Sequence, residues 1–371
     1  MTGLRLRDLP TPALLLDRAA LLRNLARLRE AVRRHGVALR PHLKTAKSVE
    51  VAHLAAPGGG PITVSTLAEA HHFLAAGFRD QIYAVGIAPQ KLDAVAALNA
   101  RGAAVKVITD DLEVARAIAA HPGPLAALIE IDVGEGRGGV RPDDERLPAL
   151  AAALGARLAG VLGHAGHSYA AFDAEAAAAV AETERAGLVR AAERLRALGH
   201  AVPVVSLGSS PTAQHARSLK GVTEVRAGVY MFGDLLQAQL GVGSVADIAL
   251  SVLASVIGRR PERNAVLIDA GALALSTDRS TAAALKDFGY GLVVGEDGAP
   301  AFGEAIVTRV WQEHGLVEAA APLPFDRLPV GARVRVLPNH ACLTAAAHAQ
   351  YHVVDGAEDR VVAVWPRVNF W

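Results

Sequence analysis

Residues 82–131, IYAVGIAPQKLDAVAALNARGAAVKVITDDLEVARAIAAHPGPLAALIEI, contain the pattern that decides the fold. Three short β-rich runs, IYAV, VKVI and LIEI, alternate with two segments, 89–101 and 112–120, in which apolar residues recur at helical spacing. Strands that are separated by helices of this length indicate βαβ units. The stretch therefore predicts neighbouring strands of a parallel sheet.

The same alternation extends on both sides of this stretch. Further strands are predicted at 39–41, 62–64, 158–162 and 202–206, and further helices at 18–35, 67–76, 145–154 and 171–198. Roughly eight such units over about 220 residues favour a (β/α)8 barrel, with an open doubly wound sheet as the alternative.

After about Leu240 the sequence changes to short β-rich runs separated by turn residues. These runs lie at 248–257, 264–268, 306–311, 316–318, 333–337 and 351–354, and only 280–285 and a few alanines near Thr344 look helical. This pattern is typical of a mostly antiparallel β domain, which the early strand 13–16 is expected to join. The predicted fold is α/β, with a TIM-like barrel over 18–240 and a β domain made of 1–17 and 241–371.

The composition excludes several classes of function. The 371 residues include 38 basic and 37 acidic side chains and no basic block that would follow a phosphate backbone, which argues against a nucleic-acid partner. Cys342 is the single cysteine, so no intrachain disulfide can form. No secretory signal pattern and no apolar run of about 20 residues is present, so we expect no membrane partner and a cytoplasmic location.

The segment RPHLKTAK, residues 40–47, follows an early predicted strand. In a barrel, the carboxyl ends of the strands form the face on which catalytic side chains gather. Lys44 could form an imine with an aldehyde cofactor there if its amine is partly desolvated. A lone lysine in this position is more often an ordinary surface residue.

Two further segments could hold and process a phosphorylated ligand. GSSPT, residues 208–212, follows a predicted strand, and its backbone N–H groups could cradle a phosphate; a tight turn with a helix cap is the alternative. Tyr230 in EVRAGVY could reach the same phosphate. The sequence has no GxxxxGK[ST] loop, so a nucleotide is the less favoured phosphate carrier.

Three more motifs carry reactive side chains. GHAGHSY (163–169) supplies His164, His167 and Tyr169 as proton-transfer groups, and DVGEGRGG (132–139) supplies Arg137; both could also be plain glycine-rich loops. In PNHAC (338–342), an imidazole and a thiolate two positions apart on an extended segment would point to one side and could bind a divalent metal. The alternative is a buried cysteine beside a turn histidine.

Taken in order, these motifs resemble the fold-type III pyridoxal-phosphate enzymes of the D-threonine aldolase and eukaryotic-type D-serine dehydratase family. The similarity extends nearly from end to end, through TPALLLD, RPHLKTAKS, TVST with the following EA, DVGEGRGG, GHAGHSY, GSSPT, EVRAGVYMFGD, DAGALALSTD, QEHG and PNHAC. The resemblance implies an alanine-racemase-like barrel that carries a β domain.

The resemblance also implies roles for individual residues. Lys44 would be the Schiff-base lysine. The other implied positions are Gly208, Ser209, Thr212 and Tyr230 at the cofactor phosphate, Arg137 beside the pyridoxal ring, His164, His167 and Tyr169 around the substrate, and His340 and Cys342 at the metal. One position departs from the family, which commonly has KTHKS where this chain has KTAKS; Ala46 could therefore alter the substrate range or the rate.

The implied function is a pyridoxal 5′-phosphate- and metal-dependent lyase that dehydrates D-serine, D-threonine or 3-hydroxy-D-aspartate to a keto acid and ammonia. The His-x-Cys pair looks like the dehydratases, whereas His-x-Asp looks like the aldolases. A D-threonine aldolase is the alternative, followed by an amino-acid racemase and a non-catalytic pyridoxal-phosphate carrier. Zinc is the expected metal, with manganese, cobalt or magnesium possible. The family further implies a homodimer.

Overall fold

The computed structural model describes residues 3–371. The chain forms two compact units, one made of the residues up to Ala26 together with Val229–Arg367, and the other of Arg27–Gly228 together with Val368–Trp371. The domain boundaries predicted from sequence stay a prediction. Within residues 3–371, no helix combines the length and the apolar character needed to cross a membrane.

Strands and helices are numbered in chain order, beginning with β1 (Ala13–Asp17) and α1 (Arg18–Arg33). Eight parallel strands form one sheet: β2 (Ala38–Pro41), β3 (Ile62–Val64), β4 (Asp80–Gly86), β5 (Ala104–Thr109), β6 (Ala126–Ile131), β7 (Leu158–Gly163), β8 (Val204–Leu207) and β9 (Glu224–Ala227). They follow the order β2-β9-β8-β7-β6-β5-β4-β3, and a parallel bridge from His42 to Thr63 joins the two ends. The predicted (β/α)8 barrel is therefore confirmed.

Several of the helices between these strands begin at a side chain that caps them. They are α2 (Val49–Ala55), α3 (Leu67–Ala75), α4 (Leu92–Ala100), α5 (Leu112–Ala120), α6 (Arg146–Leu154), α7 (Ala174–Ala197) and α8 (Ser210–His215). Asp111 accepts hydrogen bonds from the first backbone N–H groups of α5, and Asp173 does the same for α7. These side chains satisfy donors that have no partner inside the helix, which fixes where each helix starts.

The interior of the barrel combines an apolar layer with buried charges. Ile82, Ile108, Leu128 and Leu162 pack together from four neighbouring strands. On the β2 and β9 side, the buried guanidinium of Arg40 pairs with the Glu224 carboxylate at 2.8 Å. Strand β9 was not predicted because two of its four residues are charged. Both charged residues lie inside the barrel.

The other unit is built on nine strands. Besides β1, they are β10 (Leu250–Arg260), β11 (Ala265–Ile268), β12 (Leu292–Gly295), β13 (Ile306–Val310), β14 (Gly315–Glu318), β15 (Arg333–Leu337), β16 (Gln350–Val354) and β17 (Ala363–Pro366). Because β10 pairs with both β11 and β15, six strands close into a ring, and β1, β16 and β17 extend it. All pairings are antiparallel except β1 with β16, which confirms the predicted β domain and the place of the early strand in it.

Three short helices complete this unit. They are α9 (Leu235–Gln239), α10 (Ala272–Leu275) and α11 (Ala341–Ala346), and Ser280–Ala283 forms a 3-10 turn. The alanines near Thr344 belong to α11, as their composition suggested, whereas the sequence pattern missed β12 and β17.

The close approach of β7 to β8 predicts a strong effect of one methyl group. Gly160 has a φ of +147°, and a Cβ there would lie 2.0 Å from the Val204 carbonyl oxygen. We expect Gly160→Ala to cost about 3 kcal/mol and to lower the thermal midpoint by about 5 °C or more. Gly86→Ala, at a strand glycine with open space around it, is the matched control and should change the midpoint little. Equal midpoints for the two variants in calorimetry would contradict this account.

Candidate active site

The carboxyl ends of the barrel strands bring four of the predicted motifs to one face. Lys44 follows β2, Arg137 follows β6, His164 follows β7 and Gly208 follows β8. Since the strands are parallel and the barrel is closed, these segments share one rim, which is the face where active sites of such barrels lie. The rim is formed entirely by residues of the Arg27–Gly228 unit.

The lysine segment is a tight turn anchored to the barrel. The Leu43 N–H donates to the Thr63 carbonyl at 2.9 Å, and the Lys47 N–H donates to the Leu43 carbonyl at 2.7 Å. Thr45 and Ala46 are fully buried below the turn, whereas the Lys44 side chain is exposed. The turn therefore presents Lys44 at the rim, and its role as the Schiff-base lysine stays a prediction.

The neighbouring Lys47 holds the turn in place. Its backbone has a φ of +47°, in the left-handed region, and its ammonium lies 3.2 Å from the Glu69 carboxylate. Glu69 is completely buried, and it also accepts a hydrogen bond from the Ser65 N–H at 3.1 Å. A buried carboxylate needs such partners, so the ion pair fixes the conformation that presents Lys44.

The loop 132–139 owes its shape to one aspartate and its glycines. Asp132 accepts hydrogen bonds from the N–H groups of Gly134 and Gly136 at 2.9 and 3.1 Å. Gly139 has a φ of +95°, and a Cβ there would meet the Asp132 nitrogen at 2.5 Å, so only glycine fits. The loop presents Arg137, whose guanidinium lies 3.5 Å from the Glu135 carboxylate and is more than half exposed.

The segment after β7 holds the predicted proton-transfer groups. His164, His167 and Tyr169 are all half-buried, and the last two lie in the 3-10 turn Gly166–Ala170. The Nδ1 of His164 lies 2.8 Å from the Gly208 carbonyl oxygen. A carbonyl can only accept, so this Nδ1 carries the hydrogen and the Nε2 is the acceptor of the neutral ring. The Nδ1 of His167 is buried without a hydrogen-bond partner in the part of the chain that is described.

Burial and nearby cations keep two imidazoles at the rim, those of His164 and His42, neutral. The pKa of His164 is lowered to about 3, mainly by burial; the positive charges of Arg137, Arg226 and Lys44 also lower it, whereas the hydrogen bond to Gly208 raises it. Burial also lowers the pKa of His42 well below its usual value, with contributions from Lys44 and Arg226. The rim thus combines several cations with a neutral His164 and a neutral His42, which suits an anionic ligand.

The GSSPT segment is a capped helix start. Ser209 accepts a hydrogen bond from the Thr212 N–H at 3.1 Å and donates its own N–H to the Thr212 hydroxyl at 3.0 Å. The capping alternative is therefore realised, and the phosphate role of Gly208, Ser209 and Thr212 stays a prediction. Tyr230 is buried in the 3-10 turn Val229–Met231, within the other unit, and its phosphate role likewise stays a prediction.

The predicted metal pair lies in the β unit, in a different local structure from the expected one. His340 precedes α11 and Cys342 is in its first turn, so the assumption of an extended segment is wrong. The two side chains nevertheless contact each other, because a helix start also brings such neighbours together. Within residues 3–371, no three His, Cys, Asp or Glu side chains are grouped to hold a metal.

Carboxylates hold His340 in position. The Asp278 carboxylate lies 3.7 Å from the His340 Nδ1, and Asp234 accepts a hydrogen bond from the Ala341 N–H at 3.0 Å. Burial alone would lower the pKa of His340, but its contacts with Asp278 and Cys342 raise it to about 11. A metal at this pair would have to displace the proton of the His340 imidazole. Because the pair supplies two donors, the remaining positions of the metal would be open to water or substrate.

Two buried residues at the rim were missed by the sequence analysis. Arg226 donates to the Gly163 carbonyl and to the Ser206 hydroxyl, both at 2.7 Å, and burial lowers its pKa to about 10. Glu184 in α7 is fully buried, and burial raises its pKa to about 7. Arg226 could have been suspected as a charge inside a β-rich run, whereas nothing distinguishes Glu184 from the other acids of its helix.

Comparison with known protein families matches two models to this chain. Residues 16–235 match the alanine racemase N-terminal domain, and residues 249–354 match the putative serine dehydratase domain. Together these matches cover the barrel and most of the β domain.

Characterised proteins match over nearly the whole chain. A D-threo-3-hydroxyaspartate dehydratase from Delftia sp. (strain HT23) is 46% identical over 99% of both chains. A D-serine dehydratase from Dictyostelium discoideum is 29% identical over 94% of both chains, and a D-threonine aldolase from Arthrobacter sp. is 31% identical over 95% of this chain and 91% of its own.

Solved structures of relatives also superimpose on nearly the whole chain. The structure of the Delftia dehydratase superimposes with a TM-score of 0.95 at 45% identity, covering 99% of this chain and 100% of that one. A cysteine-to-alanine mutant of the same dehydratase, in a metal-free form, gives the same TM-score of 0.95 at 44% identity. On these matches the chain belongs to the family that joins an alanine racemase N-terminal domain to a putative serine dehydratase domain, and it is a lyase.

Proposed function

We propose that this lyase dehydrates a β-hydroxy D-amino acid to a keto acid and ammonia, with D-threo-3-hydroxyaspartate as the first substrate to test. The observation that carries the proposal is the contact between the His340 imidazole and the Cys342 sulfur, in a chain that is 46% identical to a dehydratase of that substrate. D-Serine and D-threonine are the further candidates of the same chemistry. A cytoplasmic homodimer is part of the proposal, on the family resemblance.

Pyridoxal 5′-phosphate is the cofactor that the rim fits. Three cations, Lys44, Arg137 and Arg226, act on one buried imidazole, and the Lys44 amine is exposed at the end of its strand. An anionic ester that carries an aldehyde requires both features. We assign Lys44 to the aldehyde, Arg137 to the ring and the 208–212 segment, with Tyr230, to the phosphate. When bound, the cofactor supplies an electron sink for the α-carbon.

Lys44 and the side chains of the 164–169 segment would have different roles in proton transfer and in substrate orientation. Lys44 Nζ is the amine in position to take and hold a proton at the rim. The neutral His164 can accept a hydrogen bond at Nε2, but its pKa of about 3 makes it a weak base. We assign His167 and Tyr169, the other side chains of the same segment, to orienting the substrate.

The metal would act on the leaving group. Bound by His340 and Cys342, it would polarise the substrate's β-hydroxyl. Thiolate and imidazole together favour zinc over magnesium, and manganese or cobalt could also bind. Asp278 and Asp234, which hold His340 and the start of α11, would orient the ligands.

The lysine assignment predicts the spectrum of the purified protein. It should absorb at about 420 nm and lose that band on borohydride reduction, which should leave the reduced cofactor covalently attached to Lys44 as a label. Lys44→Ala should lose the band and at least about a thousandfold of the activity. Lys220→Ala, at an exposed lysine of the same unit, is the control and should keep both. Retention of the label and of full activity in Lys44→Ala would refute the assignment.

The metal assignment predicts that loss of the metal abolishes turnover but leaves cofactor binding intact. Cys342→Ala should keep the absorption band yet lose bound metal, measured by mass spectrometry, and turnover of D-threo-3-hydroxyaspartate and D-serine. Exhaustive chelation of the wild-type chain should have the same effect. Leu343→Ala, at the next and exposed position of α11, is the control. Undiminished activity in chelated protein would remove the metal from the mechanism.

The products distinguish the two lyase reactions. Dehydration of D-threo-3-hydroxyaspartate yields oxaloacetate and ammonia, whereas retro-aldol cleavage yields glycine and glyoxylate. We expect the keto acid and ammonia in equal amounts, and pyruvate and ammonia from D-serine. Glycine as the main product would replace the dehydratase assignment with the aldolase.

A further inference from the structure

Glu184 connects two of the loops at the barrel rim through one oxygen atom. Its side chain projects from α7 and is fully buried. Its Oε1 accepts hydrogen bonds from the Ala165 N–H at 3.1 Å and from the Gly208 N–H at 3.0 Å. Ala165 follows β7 by two residues, and Gly208 is the first residue after β8. One carboxylate thus ties the starts of two neighbouring loops.

These two N–H groups need such an acceptor. Where the chain leaves a strand, its backbone donors lose their partners in the sheet, and a buried donor without a partner is costly. Both N–H groups face the interior, where Glu184 is the acceptor for each. The carboxylate itself is unfavourable at this depth, since burial raises its pKa to about 7. Its acceptor function explains why an acid occupies a position that packing alone would give to an apolar side chain.

Two more contacts couple the same loops. The His164 Nδ1 bonds to the Gly208 carbonyl at 2.8 Å, and the buried hydroxyls of Ser168 and Ser209 lie 2.8 Å apart. Gly208 is thus held at its N–H by Glu184 and at its carbonyl by His164. Gly208 also passes close to β9, since a Cβ at this position would lie 2.1 Å from the Arg226 carbonyl oxygen. The position of the His164 ring therefore depends on where Glu184 holds this glycine.

We propose that Glu184 is a positioning residue that sets the spacing between the His164 loop and the 208–212 loop, and hence between the substrate-facing imidazole and the cofactor phosphate. This inference rests on the proposed function for the roles of the two loops. Glu184 is assigned to neither ligand, and it acts through the backbone of Ala165 and Gly208 and through a hydrogen bond with the Thr212 side chain.

The proposal requires an acceptor at Glu184 and no charge. Glu184→Gln keeps an oxygen at the same reach and should retain the connection. Glu184→Leu keeps the volume but removes the acceptor, which leaves two N–H groups without a partner. Glu184→Ala, which removes the acceptor with less risk of overpacking, provides the same test if the leucine variant fails to fold.

Asn99→Leu is the matched control at the opposite end of the barrel. The Asn99 side chain also bridges backbone groups, accepting from the Val105 N–H at 2.7 Å and donating to the Pro124 carbonyl at 2.9 Å. These contacts lie at the start of β5, away from the rim. Its loss should lower the thermal midpoint and leave cofactor affinity, kcat and KM within about twofold.

The experiment measures affinity for pyridoxal 5′-phosphate, kcat, KM and amide hydrogen exchange in the cofactor-free protein. Glu184→Leu or Glu184→Ala should weaken cofactor binding and lower kcat by about 10- to 100-fold, with a smaller change in KM. The peptides that contain Ala165 and Gly208 should exchange faster. Glu184→Gln should stay within about threefold of the wild type in every measurement.

Two results would overturn the proposal. One is a leucine or alanine variant that loses only thermal stability, as Asn99→Leu should, with unchanged cofactor affinity and kcat. The other is a glutamine variant as impaired as the leucine variant, which would show that charge matters and the acceptor does not. Hydrogen exchange tests the loop connection without any ligand. A failure of the proposed function would instead appear in the wild-type chain, as absent cofactor binding or turnover.

Discussion

The pairing of charges inside the barrel is the constraint on which the rest of this unit depends. A continuous polar chain crosses the interior and consists, in order, of Asp80, Arg40, Glu224, Ser206, Arg226 and the carbonyl of Gly163. It joins β4, β2, β9, β8 and β7 through direct contacts of 2.7 to 3.1 Å. Removing the Arg40 side chain would leave the buried Glu224 carboxylate without its guanidinium partner, at a cost of about 3–5 kcal/mol. The register of these strands is therefore fixed from within as well as by the sheet.

The same charges determine the chemistry at the rim. Arg226 lies at the end of the polar chain and acts electrostatically on His164 and His42, so the group that helps close the barrel also keeps these imidazoles neutral. A neutral His164 has a fixed tautomer because its Nδ1 donates to the Gly208 carbonyl. Arg226 thus contributes both to the stability of the barrel and to the electrostatics of the site, and we expect a substitution there to affect both.

The sequence predicted what depends on local periodicity and missed what depends on burial. Alternating strands and helices were sufficient for the barrel, because each element has its own apolar pattern. Strand β9 was missed because its inward-facing residues, Glu224 and Arg226, are charged and are compensated only by other strands. The motif order located the rim residues through family resemblance. It could not reveal Glu184, whose partners Ala165 and Gly208 are defined by three-dimensional proximity, nor the helical turn that holds Cys342.

The buried position of Ala46 changes how its difference from the family's usual histidine is interpreted. The family commonly has a histidine here, which in a sequence suggests a missing proton-transfer group. In this chain the Ala46 side chain is fully buried beneath the turn that exposes Lys44, next to the buried Thr45. A histidine ring is much larger than a methyl group, and a close-packed interior admits it only if its neighbours move. The substitution therefore acts first on the packing under the lysine turn, and any effect on rate or substrate range would come through the position of Lys44.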